Sequence, residues 1–367
     1  MLCWQRYGLP GVCRMNLSHP QVGSGIRFTL TVPDVGIPSV SSRTMTGTGV
    51  AKKEDEIKRV DILVFDASKT PAVFLEWAEG TGLAQDLASD NSTVDFSAVL
   101  FPTTASTCVA IIANKDISTI VAGFTKGVTT KAEAMEAMLH SQEGKWAADG
   151  STAGGYMPIP MYGEKIVEKL GSPVNPITGI SMKRMLARID IRNSASDFTV
   201  EEVYLVNYNT AGYIAPAWNA NGQLIDPVPD VPRIPDASGK KWGEWNAIPY
   251  AVNGNTPYDG EIYAFEALAA EDAGGAAQDG DTSRKDAVCL IVKGKIGNGG
   301  STFYRVDFTK TGQTGEQVGY LPLKRNHKYI ITVTEASGVG YASIGEALAS
   351  YTVMSNLKFR LIHYNRD

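Results

Sequence analysis

His19, His140, His327 and His363 are the residues best suited to metal or acid–base chemistry, and they fall in four unrelated contexts. None takes part in HExxH or HxH, the spacings that bring two imidazoles to one zinc ion. Cys3, Cys13, Cys108 and Cys289 form no CxxC pair. Cys108 and Cys289 sit inside the apolar runs TCVAII and AVCLIV, where a free thiol behaves as a small hydrophobe, so both are assigned to the core. Neither GxSxG nor GxxxxGK(S/T) occurs; the stretch GTGVAKK follows no strand and lacks the spacing that wraps a phosphate. Asp279, Asp281 and Asp286 resemble a calcium loop only loosely, since Arg284 and Lys285 lie among them and no glutamate closes the loop. Trp218, Trp242 and Trp245 gather around a proline-rich insert and could stack on a sugar ring or pack against that insert. The expectation is a protein that is not an enzyme and holds no metal or cofactor.

Charge and hydropathy exclude further classes. A net charge of −5 without runs offers no basic stripe for nucleic acid and no polybasic membrane patch. No apolar stretch approaches the roughly 18 to 20 residues that cross a bilayer; the longest compact one, CVAIIAN, has the length of a buried strand. The opening MLCWQRYGLPGVCRMN lacks the apolar centre of a secretion signal, so residues 1–22 are expected to be a leader remnant or an added segment.

Strands must position whatever the chain does. At 367 residues it exceeds what one core usually serves, and 37 glycines with 18 prolines imply many turns, which favours an all-β chain of two domains. In EIKRVDILVFD, Val60, Ile62 and Val64 form one face and Leu63 and Phe65 the other, a buried strand; AVFLEW, TVDFSAVLF and TCVAIIAN follow. TKAEAMEAMLH is predicted as a helix opened by a Thr130–Glu133 capping box, with Met135, Met138 and Leu139 turned to the core. In SMKRMLARIDIRN, Met185, Ala187, Ile189 and Ile191 alternate with Arg184, Arg188, Asp190 and Arg192, which predicts a strand with one wet face. The domain change is placed near Gly179, giving 23–178 and 179–349, with 350–367 as a tail.

Two amphipathic segments stand out. In GIRFTLTVPD, Ile26, Phe28, Leu30 and Val32 alternate with polar residues, and in the terminal NLKFRLIHYNRD, Leu357, Phe359 and Leu361 do the same. No later strand exists to pair with the tail, so it either edges its own domain or serves a neighbour.

The stretches RVDILVFD, CVAIIAN, SMKRMLARIDI with VEEVYLVNYNTAGYIAP, EIYAFEA and RNHKYIITVTEASGVGYASIGEAL occur in an order and spacing that resemble the fimbrillins, structural pilins of type V pili of Bacteroidales-type anaerobes, from about Gly23 onward. The resemblance implies two transthyretin-like Greek-key β-sandwich domains with a few short helices. It implies export through the periplasm as a lipidated precursor and residence at the outer membrane in an extracellular fimbrium for adhesion and colonisation. It also implies cleavage by a trypsin-like or Arg-specific protease, and polymerisation by donor-strand exchange. On this reading Arg43 in VSSRTMTGTG is the processing site, Ile26, Phe28, Leu30 and Val32 belong to the removable segment 25–43, and Leu357, Phe359 and Leu361 form the donor strand. Cys13 is the position for a lipid, although valine precedes it where a small residue is usual. The implied partners are other copies in a head-to-tail polymer, minor, tip and anchor pilins, and a host glycan or protein. The alternative is a non-polymerising surface or tip adhesin with a carbohydrate-binding role, favoured if the tail packs on its own domain.

Overall fold

The computed structural model describes residues 23–33, 54–87, 92–146, 157–171, 176–226, 228–229, 231–235, 247–252, 258–270, 287–311, 317–350 and 356–366. In its first half lie β1 (Ser24–Val32), β2 (Val60–Asp66), β3 (Val73–Glu79), β4 (Thr81–Asp86), β5 (Ser92–Leu100), β6 (Thr107–Ala113), helices α1 (Ser118–Val121) and α2 (Lys131–Ala137), and then β7 (Leu139–Ser141), β8 (Met161–Val167), β9 (Ile177–Ser181) and β10 (Lys183–Arg184). Two sheets result, β4-β5-β1-β9 and β10-β8-β6-β2-β3. Their apolar faces meet in one core, where Ile26, Phe28, Leu30, Val94 and Phe96 pack with Val60, Ile62, Val64, Val109 and Ile111. This is a β-sandwich.

Burial follows the layers. β5 alternates buried and exposed residues, the pattern of a sheet with one wet face, whereas β6 is buried throughout. The outer face of the five-stranded sheet is covered as well: Leu63, Phe65, Cys108, Ala110 and Ile112 pack with Met135 of α2 and with Tyr213, Tyr263 and Phe265 from the second half. The capping box of α2 forms, with Glu133 N donating to Thr130 Oγ1 at 3.2 Å and Thr130 N donating to the Glu133 carboxylate at 2.8 Å.

The second half contains β11 (Leu186–Asn193), β12 (Phe198–Val206), β13 (Ala211–Tyr213), β14 (Ala247–Ala251), β15 (Tyr258–Phe265), β16 (Cys289–Ile296), β17 (Thr302–Asp307), β18 (Thr309–Thr311), β19 (Gln317–Tyr320), β20 (His327–Ala336), α3 (Ile344–Ala349) and β21 (Leu357–Asn365). Sheets β15-β11-β20-β21 and β14-β12-β16-β17 close over a second shared core that includes Ile189, Ile331, Leu205 and Val292. Ala347 and Leu348 of α3 cover Val206, Cys289 and Ile291 on the outside. A small ribbon, β7 paired with β13, joins the halves.

Several placements bear on the expectations. β9 and β10 still belong to the first pair of sheets, and the second pair begins with Leu186 of β11. The face of Arg184, Arg188 and Asp190 is not wet: these residues are 1%, 6% and 0% exposed. Alternation marks which side of a strand is polar but cannot show that charges from elsewhere in the chain will cover it. The tail is not a free strand either. β21 runs antiparallel to β20 from Ala336↔Leu357 to His327↔Asn365, with Leu357 and Leu361 buried in the second core and Phe359 packed against it.

Candidate functional site

The site of interest is the seat of β1. β5 mirrors its alternation, so like faces like: Ile26 lies opposite Ala98, Phe28 opposite Phe96 and Leu30 opposite Val94. The Phe28 and Phe96 rings stack 5.0 Å apart at 8°. On its other side β1 runs parallel to β9, with Phe28 beside Ile177 and Leu30 beside Ile180. β1 is therefore interior to its sheet, and its four apolar side chains are 4%, 1%, 0% and 0% exposed from Ile26 to Val32. At about 1.5 to 3 kcal/mol each, vacating this seat would expose apolar surface worth on the order of 6 to 12 kcal/mol, besides the backbone groups of β5 and β9.

Gly163 of β8 lets β9 come close: a Cβ there would lie 2.7 Å from both Ser181 O and Met182 Sδ. The sheet wall that holds β1 thus depends on a position without a side chain.

The end of β1 enters a buried ionic cluster between the two sandwiches. Arg184 NH1 donates to Pro33 O at 3.1 Å and to Asn326 Oδ1 at 2.9 Å, while its NH2 and Nε reach Asp55 Oδ1. Glu54 Oε1 accepts from Arg188 NH1 at 2.8 Å and from Arg366 NH2 at 2.9 Å, and its Oε2 accepts from Tyr263 Oη at 3.0 Å. Arg188 also grips Asp190, which Lys328 approaches at 3.0 Å. Burial alone would push the Glu54 carboxyl up, but Arg366, Arg188 and Arg184 outweigh it and hold Glu54 well below the usual carboxylate range. Asp55, beside Glu54, is raised: burial and the neighbouring carboxylate prevail over Arg184. Nothing in AKKEDEIK signalled this role, because an acidic run reads as a solvated stretch.

The other candidates separate. Trp218 is buried, edge-on to Tyr213 at 5.2 Å and covered by the Arg233 guanidinium at 4.2 Å, which is packing and not an open sugar platform. His327 and His363, unrelated in sequence, stack 6.2 Å apart across β20 and β21. His140 lies 5.1 Å from Trp146 and 6.4 Å from Phe265, with no hydrogen-bond partner on either ring nitrogen. Among the described residues no group of three His, Cys, Asp or Glu side chains is arranged to hold a metal, and no helix is long and apolar enough to cross a membrane. Arg43, Cys13, Cys3, His19, Trp242, Trp245, Asp279, Asp281 and Asp286 lie outside the described residues.

No protein-family model and no curated protein matches the chain. Its fold, however, is found among solved structures. The tip fimbrial protein of Porphyromonas gingivalis, solved with a C-terminal truncation, is 13% identical, with a TM-score of 0.53 over 93% of this chain and 100% of the other. A candidate cell adhesion protein from Parabacteroides distasonis is 14% identical, with a TM-score of 0.55 over 94% of this chain and 100% of the other. The chain is thus an all-β, two-sandwich protein, fimbrillin-like in fold.

Proposed function

We propose that the chain is a cell-surface fimbrial subunit that accepts a strand from a neighbour in the seat of β1 and keeps its own tail. The observation that carries this is the burial of β1 in the interior of its sheet, directly before the stretch that contains Arg43. Cleavage after Arg43 by an Arg-specific protease leaves β1 held by non-covalent contacts alone. A strand of matching alternation from another subunit then replaces it, gaining the same ladder and the same pockets. Such a contact joins two different surfaces and does not close on itself.

The pairing of β21 with β20 favours the terminal position over the shaft. Using Leu357, Phe359 and Leu361 as a donor requires stripping them from their own core. A subunit that takes a strand and gives none ends the polymer, and the fold shared with a tip fimbrial protein fits that place. The role is adhesion at the cell surface, without catalysis.

The test uses the chain after digestion with an Arg-specific protease and a fluorescent peptide with the sequence of residues 24–33. The peptide should enter the digested chain and not the intact one, with release of the resident fragment, and the digested chain alone should remain monomeric on size exclusion. If the peptide never enters although the chain is cut, the exchange reading fails. If the digested chain polymerises by itself, the terminal placement fails and the shaft reading, with β21 as donor, takes over.

A further inference from the structure

β1 matches its seat along most of its length. Inward, Ile26 faces Ala98, Phe28 faces Phe96 and Leu30 faces Val94; outward, Thr29 Oγ1 donates to Asp95 Oδ1 at 2.6 Å and Thr31 lies opposite Thr93. The first two residues break this match. Ser24 stands opposite Leu100, which is 0% exposed, and the Ser24 hydroxyl is sealed from water with no hydrogen-bond partner among the described residues. A buried donor left unmet weakens the hold of the strand that carries it. Gly25 stands opposite Val99, which keeps 66% exposure although its strand is paired. Neither space nor backbone requires that glycine. A Cβ added at Gly25 would meet nothing within 4 Å, and its φ is not positive, whereas at Gly23 an added Cβ would lie 2.7 Å from Val99 Cγ1. β9 gives no cover at this end, since its pairing with β1 starts at Phe28.

We infer that the seat is shaped for a better strand than β1: one from another subunit with an apolar residue in the register of Ser24 and a β-branched apolar residue in the register of Gly25, where it covers Val99. This rests on the proposed exchange and names the chemistry of the incoming strand. It also makes the exchange run downhill. While β1 is tethered, its high effective concentration keeps it in place despite the two misfits. Once the tether is cut, that advantage is lost, and a strand that satisfies Leu100 and Val99 displaces one that does not. Leu100 and Val99 are thus specificity-determining residues that read the first two positions of the donor, while the pockets of Ile26, Phe28, Leu30 and Val32 supply most of the hold.

Two measurements separate the misfit from the exchange itself. In the intact chain, hydrogen–deuterium exchange of β1 is followed in Ser24→Ala, Gly25→Ala and Gly25→Ile, and in the two Gly25 variants combined with Val99→Ala. Ser24→Ala should slow exchange about fivefold. Gly25→Ile should slow it about threefold beyond Gly25→Ala, a margin that should vanish beside Val99→Ala. In the digested chain, a fluorescent peptide of residues 24–33 carrying Ser24→Ala and Gly25→Ile should outcompete the unchanged peptide at least ~10-fold. If neither peptide enters, strand exchange fails, and the intact chain alone decides the misfit. Exchange of β1 unchanged by Ser24→Ala, a Gly25→Ile margin that is absent or survives Val99→Ala, or equal entry of the two peptides overturns the inference.

Discussion

Phe28→Ala is the most direct probe of the seat. The ring is 1% exposed, stacked 5.0 Å from Phe96, and flanked along β1 by Ile26 and Leu30 in the same core. Truncating a core phenylalanine costs about 3 to 5 kcal/mol, of which an aromatic pair accounts for about 0.5 to 1.5. Neighbouring strands on both sides limit collapse into the void, so about 4 kcal/mol is expected, close to a thousandfold in the opening equilibrium. Phe359→Ala on β21, at a partly buried position of an edge strand, should cost only about 1 kcal/mol. The assay is urea unfolding followed by hydrogen exchange, which reads β1 and β5 separately from β20 and β21. In the digested chain, Phe28→Ala should also speed peptide entry. A loss below about 1 kcal/mol for Phe28→Ala, or equal losses for the two variants, would refute the view that β1 is seated more deeply than the tail.

Burial, with a smaller contribution from Lys115, lowers His140 from 6.5 to about 4. The unfolded chain therefore binds the extra proton first, and stability should fall as pH drops from about 6.5 toward 4, by roughly 2 kcal/mol once partial exposure is discounted. His140→Gln should flatten that part of the stability–pH curve measured by urea titration. Gly163→Ala should destabilise by about 1 to 3 kcal/mol and weaken protection of β9 in hydrogen exchange, because the new methyl collides with the backbone at Ser181. Thr130→Ala removes the cap of α2 and should cost about 1 kcal/mol, seen as a lower urea midpoint at unchanged m.

Local signals were legible in the sequence wherever the physics is local. The alternation of Ile26, Phe28, Leu30 and Val32 marked a strand with one buried face, and the spacing of Thr130 and Glu133 marked a helix start. Cys108 and Cys289 behave as core residues because their strands are covered on both faces. Which strands become neighbours was less accessible. Leu357, Phe359 and Leu361 announce that the tail needs an apolar surface, but the same pattern would suit β20 of this chain or a groove in another. The polar residues of β10 and β11 show the limit most clearly. Arg184, Arg188 and Asp190 look solvent-facing until Asp55, Glu54 and Lys328, over a hundred positions away, arrive to pair with them.

The two neighbours of β1 set a direction. β5 runs against it and β9 runs with it, and among the described residues β9 has no other partner in its sheet. A replacement that reproduces both of these ladders would run in the same direction as β1, since a reversed one would have to pair parallel with β5 and antiparallel with β9. Were the proposed exchange to build a fibre, its polarity, with one end distinguishable from the other, would follow from the orientation of a single short parallel contact.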